Sequence, residues 1–196
     1  MSGEGEAGDG NGADRLGAMF GLSAADAALL ERAGSEVLEE AGLDASRFFA
    51  RLRQGGSIGA ALGLSPALVE LIYARAYRWF LVDRPDRAEP MFRALCAADG
   101  TVADYWVGFG LCLRLRRDFS GAAVAFAAAS RLRPDWEVPA FHGAELALQR
   151  KDAAAAAAEI ARFRRLAGAD TPERMVTEVQ RMEQALAAQR LTGTAR

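Results

Sequence analysis

The stretch ADYWVGFGLCLRLRRDFSGAAVAFAAASRLRPDW, residues 103–136, is the middle copy of a unit that recurs every 34 residues. Aligning it without a gap to residues 69–102 and 137–170 gives five columns of matching character: one apolar, two of small residues, one of large apolar residues and one of helix terminators. The columns are Ile72/Trp106/Ala140, Ala76/Gly110/Ala144, Ala88/Ala122/Ala156, Phe92/Phe126/Ile160 and Gly100/Pro134/Gly168. Because agreement over all five columns is hard to obtain by chance, the sequence predicts three tandem copies of one structural unit.

A 34-residue period with this pattern is typical of the tetratricopeptide repeat, in which helices A and B of each unit lie antiparallel. Two helices approach closely only where both carry a small residue, so we expect Gly110 to pack against Ala122. Phe126 should then fill the space between A, B and the next A helix. The predicted fold is an all-α solenoid of three tetratricopeptide repeats, stabilised within repeats and between neighbours.

The rest of the chain flanks this array. Residues 1–15 are acidic, rich in Gly and poor in apolar groups, which predicts a disordered tail. Residues 16–66 form an N-terminal helical segment, and residues 171–190 form a C-terminal capping helix. The apolar stripe of that last helix consists of Met175, Val179, Met182 and Leu186.

Several helix starts are also readable. Ser23 and Asp44 can cap the first two helices, and Ser65-Pro66 is a strong start for the third long one. Asp86-x-x-Glu89 predicts a capping box, which would place Pro90 just after the first turn.

Composition limits the function. The net charge of −2 argues against direct binding of nucleic acid. The sequence has no run of 18 apolar residues, so no membrane span is predicted. The acidic start lacks the features of a signal peptide, so we expect a cytoplasmic protein.

The sequence contains few residues for catalysis. The two cysteines do not form a disulfide framework. His142 is the single histidine, so no zinc cluster or Ser-His-Asp set can be built; Cys96 with His142 is the one conceivable nucleophile–base pair. The sequence predicts neither an enzyme nor a cofactor.

The repeats predict a peptide-binding surface. In this architecture the A helices line a concave groove, and the residues beside the packing positions point into it. In the first repeat Tyr73, Tyr77 and Phe80 lie on one helical face, and aromatic residues with polar tips suit a pocket for an extended apolar peptide. The alternative is that these three pack against the N-terminal helices. The predicted peptide-binding residues are Tyr73, Tyr77, Phe80, Val107, Leu111, Arg114, Phe141, Glu145 and Leu148.

Four stretches carry a more specific resemblance: FFARLRQGGSIGAALGLSPALVELIYARAYRWF from Phe48, AEPMFRALCAADG from Ala88, DYWVGFGLCLRL from Asp104 and FHGAELALQ from Phe141. They resemble the class II type III secretion chaperones over about residues 46–170. The resemblance implies a cytosolic bacterial chaperone that holds an extended segment of hydrophobic translocator proteins in its groove. It also implies that the groove aromatics of the first A helix fall on Tyr73, Tyr77 and Phe80.

The resemblance further implies a homodimer formed through the N-terminal region, as in many members of the family, and co-activation of an AraC-type transcription factor, as in some. The chain departs from the family in its tail and its helix near residues 23–41. Two alternatives stay open: a regulatory partner of an AraC-type activator without chaperone duty, and a generic tetratricopeptide adaptor that binds peptides in another pathway.

Overall fold

The computed structural model describes residues 17–18 and 21–193. The predicted tail at residues 1–15 lies outside them. Ten helices and no strand occupy residues 24–193, which confirms the all-α prediction. The helices are α1 (Ala24–Glu40), α2 (Ala45–Arg53), α3 (Ile58–Ala61), α4 (Pro66–Leu81), α5 (Pro85–Ala98), α6 (Ala103–Leu115), α7 (Phe119–Leu132), α8 (Val138–Gln149), α9 (Ala153–Leu166) and α10 (Glu173–Gly193).

The chain forms two compact units. The first takes in the described residues up to Glu70 together with Ala97–Asp99, and the second takes in Leu71–Cys96 and the described residues from Gly100 onward. Most of α4 and α5 therefore belongs to the second unit. The A and B helices of the three repeats are α4 and α5, α6 and α7, and α8 and α9.

The predicted helix starts of the N-terminal segment are correct. The Ser23 side chain accepts a hydrogen bond from the backbone N–H of Asp26. Asp44 accepts from the N–H of Arg47 in the same way, and the Ser65 hydroxyl oxygen accepts from the N–H of Leu68. Each side chain satisfies one of the backbone donors that the first turn of a helix leaves unpaired.

The turns between helices A and B repeat with the same 34-residue period. Asp83, Arg117 and Lys151 are the non-glycine residues with positive φ among those described, at 54°, 64° and 58°. Asp118 and Asp152 follow the last two and cap α7 and α9 through the N–H groups of the third residue on. A left-handed residue after helix A and an Asp cap before helix B thus form one recurring turn.

The residues of the small and the large apolar columns lie in the core of the second unit. Ala76, Ala88, Ala122, Ala144 and Ala156 are all fully buried. Phe92, Phe126 and Ile160 are buried as well. The packing role predicted for these three columns is therefore confirmed, whereas Ile72 and Trp106 of the first column are only half-buried.

One predicted contact is different. A Cβ built on Gly110 would lie 2.6 Å from Cε1 of Phe126, so the ring of Phe126 fills the place expected for Ala122. Phe92, the equivalent of Phe126 one repeat earlier, contacts the next A helix at Gly108, where a Cβ would lie 2.3 Å from its Cε1. Phe126 also stacks on His142 of the next A helix at 5.7 Å, as predicted for a residue that fills the space between three helices.

The predicted capping box at the start of α5 is wrong. The helix begins at Pro85, and Pro90 lies inside it. The Asp86 carboxylate accepts two hydrogen bonds from the Arg84 guanidinium. Glu89 is buried and paired with Arg116. Both carboxylates therefore bind guanidinium groups, because an arginine lies within reach of each.

The last helix carries the predicted stripe on its buried face. Met175, Val179, Met182 and Leu186 are buried and belong to one apolar cluster with Phe141 and Phe163. In the first unit a smaller cluster consists of Phe49, Leu52 and Ala61, with Leu38 and Phe48 packed against it. No described helix is long and apolar enough to cross a bilayer.

Candidate peptide-binding surface

The nine predicted peptide-binding residues, here called the A-helix surface, lie on α4, α6 and α8 within the second unit. Their exposure differs. Tyr77 is 50% exposed, whereas Val107 and Phe141 are buried at 7% and 8%. The other six are half-buried: Tyr73, Phe80, Leu111, Arg114, Glu145 and Leu148.

The buried members connect the surface to the core. Val107 packs in a cluster with Ala103 and Ala129, and Leu111 lies against it. Phe141 packs with Phe163, with ring centroids 6.1 Å apart. These side chains therefore form the floor of the A-helix surface, while Tyr77 and the half-buried residues are the part open to a ligand.

Tyr73 joins the first repeat to the second. Its ring centroid lies 5.5 Å from that of Tyr105 and 6.1 Å from that of Phe92. Because Phe92 is a column residue of the core, Tyr73 has a packing role in the repeats. Substitution of Tyr77 therefore tests peptide binding more cleanly than substitution of Tyr73.

Arg114 and Glu145 are brought together across two repeats. The Arg114 Nη1 lies 2.5 Å from the Glu145 Oε2, and the His142 Nδ1 lies 2.7 Å from the same oxygen. Arg114 and Glu145 were predicted as surface residues from the sequence, but their pairing and the contact with His142 were not predicted. His142 stands 34 residues after Gly108, so the period could have placed it at the junction between the second and third repeats.

The environment of Glu145 shifts its acidity. Burial by itself would raise the pKa of this carboxyl, but the hydrogen bond with His142 and the positive charge of Arg114 outweigh it, and the pKa is lowered. At neutral pH the group is ionised and its contacts stabilise the folded chain. This contribution is present above the ordinary carboxyl pKa and is lost as the pH falls through the lowered value.

Replacing Glu145 with Gln tests this predicted dependence of stability on pH. Glutamine keeps an acceptor for Arg114 and His142 but carries no charge, so we expect Glu145→Gln to unfold at lower urea concentration than the wild type at pH 7. The difference should shrink as the pH falls below about 4, the ordinary range of a carboxyl group. A difference of constant size from pH 7 to pH 3, measured by urea titration, would contradict the assignment.

Two cavities lie away from the A-helix surface. One of about 400 Å³ between α7, α8 and α9 contains Phe126, Gly143, Glu159 and Arg162, and its lining includes none of the nine residues. Burial raises the pKa of Glu159 there. A cavity of about 460 Å³, lined in part by Phe109, lies one repeat earlier, since Phe109 precedes Gly143 by 34 residues. Each repeat junction thus carries a partly polar recess that sequence analysis did not anticipate.

The thiols are poor nucleophiles. Burial raises the pKa of both Cys96 and Cys112 to about 12, so both are protonated at neutral pH. Within the part of the chain that the structure describes, no group of three or more His, Cys, Asp or Glu side chains could hold a metal ion.

The helical repeats and their A-helix surface define a protein of the tetratricopeptide class. No protein-family model matches the chain. In sequence it is similar to the chaperone protein SicA of Salmonella typhimurium, with 31% identity over 103 residues, which is 52% of this chain and 62% of SicA. The chain thus matches less than two thirds of the length of this relative.

Solved structures of chaperones share the fold. PcrH, known from Pseudomonas aeruginosa, in complex with the chaperone binding region of PopD matches with a TM-score of 0.62 and 27% identity, over 65% of this chain and 97% of PcrH. The Yersinia enterocolitica type III secretion chaperone SycD, in complex with a peptide of the translocator YopD, matches with a TM-score of 0.60 and 23% identity, over 65% of this chain and 98% of SycD. Another SycD structure is described as an alternative dimer. The resemblance to class II type III secretion chaperones is confirmed by these comparisons.

Proposed function

We propose that this chain is a type III secretion chaperone that binds an extended segment of hydrophobic translocator proteins on its A-helix surface. It keeps them soluble and competent for secretion in the bacterial cytoplasm, and it acts by binding, without catalysis. The observation that carries the proposal is the match of the repeats to PcrH, which was solved with the chaperone binding region of PopD.

The A-helix surface has suitable chemistry for such a ligand. Tyr77 offers an open aromatic ring, and Leu111 and Leu148 add half-buried apolar groups. Each anchor that becomes buried contributes about 1.5–3 kcal/mol, from which the cost of ordering the segment must be subtracted. Two or three anchors therefore support reversible capture, which suits a protein that must release its client.

Co-expression tests the proposal directly. Membrane-inserting translocator proteins of the same organism are produced with and without this chain, and the soluble fraction of each is measured. We expect them to be soluble and to co-purify with the chain when it is present, and to aggregate when it is absent. Equal solubility in both cases, without co-purification, would contradict the proposal and favour a regulatory or adaptor role.

The proposed chaperone is a homodimer formed through the N-terminal segment. Apolar side chains of the first unit are exposed there, among them Val37 at 66% and Leu29 at 56%. Exposed apolar groups concentrated in one region are typical of an interaction site. This is the kind of surface that a twofold interface buries.

Replacing Val37 with Glu should weaken the dimer by about tenfold or more, because apolar contact is lost in both copies. The equally exposed Val124, on α7 of the second unit, provides the matched control Val124→Glu. Light scattering over a range of protein concentrations measures the dissociation. If the two variants dissociated at the same concentration as the wild type, another interface would have to be sought.

A further inference from the structure

One donor of the A-helix surface has no acceptor. Among the residues that the structure describes, Arg114 Nε is the one buried side-chain nitrogen or oxygen that lacks a hydrogen-bond partner. A buried donor left unpaired destabilises the folded state, and such groups are rare in native proteins. Arg114 keeps this unpaired donor in the middle of the predicted peptide-binding residues.

Glu145, which pairs with Arg114, has a carboxylate oxygen that can still accept a hydrogen bond. Among the described residues, each side-chain hydrogen bond of Glu145 ends on Oε2, which is shared by Arg114 and His142. The other oxygen, Oε1, remains an acceptor. The side chains of Arg114 and Glu145 are 13% and 25% exposed, so both reach the surface.

The charge of this cluster selects the chemistry of a ligand. Arg114 is positive and Glu145 is negative, so the charges of this pair cancel. A carboxylate approaching Arg114 would be opposed by Glu145. A neutral carbonyl oxygen would meet the arginine donor without that repulsion, and a neutral N–H group would suit Glu145 Oε1. An extended polypeptide presents both groups along its backbone.

We propose that Arg114 and Glu145 form a main-chain clamp: Arg114 donates to a backbone carbonyl of the bound segment, and Glu145 accepts from a backbone N–H. Because Nε is buried, the Arg114 side chain must rotate for Nε to meet that carbonyl. The inference rests on the proposed function and deepens it. Because the clamp makes hydrogen bonds only with the backbone, it can bind segments of different sequence. Specificity for particular side chains then comes from the apolar anchors of the A-helix surface.

Arg114→Met tests the clamp, since methionine keeps much of the side-chain length but has no donor. The probe is a fluorescein-labelled synthetic peptide of the translocator segment that survives limited proteolysis of the co-expressed complex. We expect Arg114→Met to weaken its binding roughly ten- to a hundredfold, the range for a hydrogen bond to a charged group. Arg131→Met, which removes an exposed arginine of α7 outside the A-helix surface, should bind like the wild type.

A second measurement separates the clamp from a purely structural brace between the second and third repeats. Peptides are prepared with one backbone amide at a time replaced by an ester, which removes an N–H and weakens the neighbouring carbonyl as an acceptor. At one position the ester should weaken binding to the wild type, and that penalty should largely vanish in Arg114→Met. A brace would lower the melting temperature of the variant without this position-specific coupling.

The outcomes are distinct. If the peptide bound the wild type but bound Arg114→Met with equal affinity, or if no ester position coupled to Arg114, the clamp would be refuted while the proposed function stood. Failure of the wild type to bind any protected segment would overturn the proposed function, and the clamp with it.

Discussion

Gly110→Leu is expected to destabilise the chain by about 1–3 kcal/mol, the usual cost of overpacking a core. A Cβ at this position would already lie 2.6 Å from Cε1 of Phe126, and the leucine side chain extends beyond it. Phe126 cannot move aside easily, because it is buried and stacked on His142. The loss should exceed the gain of up to about 1 kcal/mol from removing a glycine within a helix.

Thermal unfolding followed by circular dichroism measures this effect. For a chain of this size the loss corresponds to a melting temperature lower by about 2–12 °C. Gly168→Leu is the control, because a Cβ there meets nothing within 4 Å. If Gly110→Leu melted like the control, the 34-residue register and the packing derived from it would be wrong.

The double variant Tyr77→Ala, Phe80→Ala should lower the affinity for a translocator segment by about a hundredfold or more. Each aromatic ring removed takes away an anchor worth about 1.5–3 kcal/mol on burial. Tyr77 is half exposed and Phe80 half-buried, so the cost in folding should be smaller than for Tyr73, which packs against Phe92. Retained capture in a pull-down of co-expressed translocator would exclude these residues from the site.

The matched control is Val124→Ala, Leu132→Ala, which also removes two exposed apolar side chains, here from the B helix α7. We expect this control to capture translocator like the wild type. Equal losses in both double variants would indicate a general effect on stability or solubility, and the assignment of the A-helix surface would fail.

Period and capping were enough to predict the helices and much of the core. The five columns identified Phe92 and Phe126 as packing residues, because a repeat that packs against its own copy places equivalent residues in equivalent surroundings. Ser23 and Asp44 were readable as caps because a side-chain acceptor next to an apolar helical pattern has a local purpose. These signals are local or periodic, so a single sequence contains them.

The remaining features depend on geometry between helices. A helical wheel predicts the face on which Val107 or Phe141 lies, but not how far its side chain is buried. Phe141 is buried in one cluster with the apolar stripe of α10. The pairing of Arg114 with Glu145 joins residues 31 positions apart on different repeats. Only the relative placement of α6 and α8 brings them within hydrogen-bond distance.

The recurring left-handed turn was missed for another reason. Residues in that conformation are usually glycine, because a Cβ disfavours it. Here Asp83, Arg117 and Lys151 adopt it, so composition carried no signal. The signal lay in their 34-residue spacing, which places the turn between helices A and B at the same position of each aligned repeat.

Site-specific photocrosslinking tests whether the A-helix surface holds a translocator segment. A photoreactive phenylalanine derivative is introduced at Tyr77 or, as a control, at Val124, which is 65% exposed on α7. Each variant is co-expressed with a translocator of the same organism and irradiated, and the crosslinked peptide is identified by mass spectrometry. We expect a strong crosslink from position 77 to one short translocator segment and none from position 124. Crosslinking from position 124 alone, or from neither position in a complex that still co-purifies, would contradict this expectation.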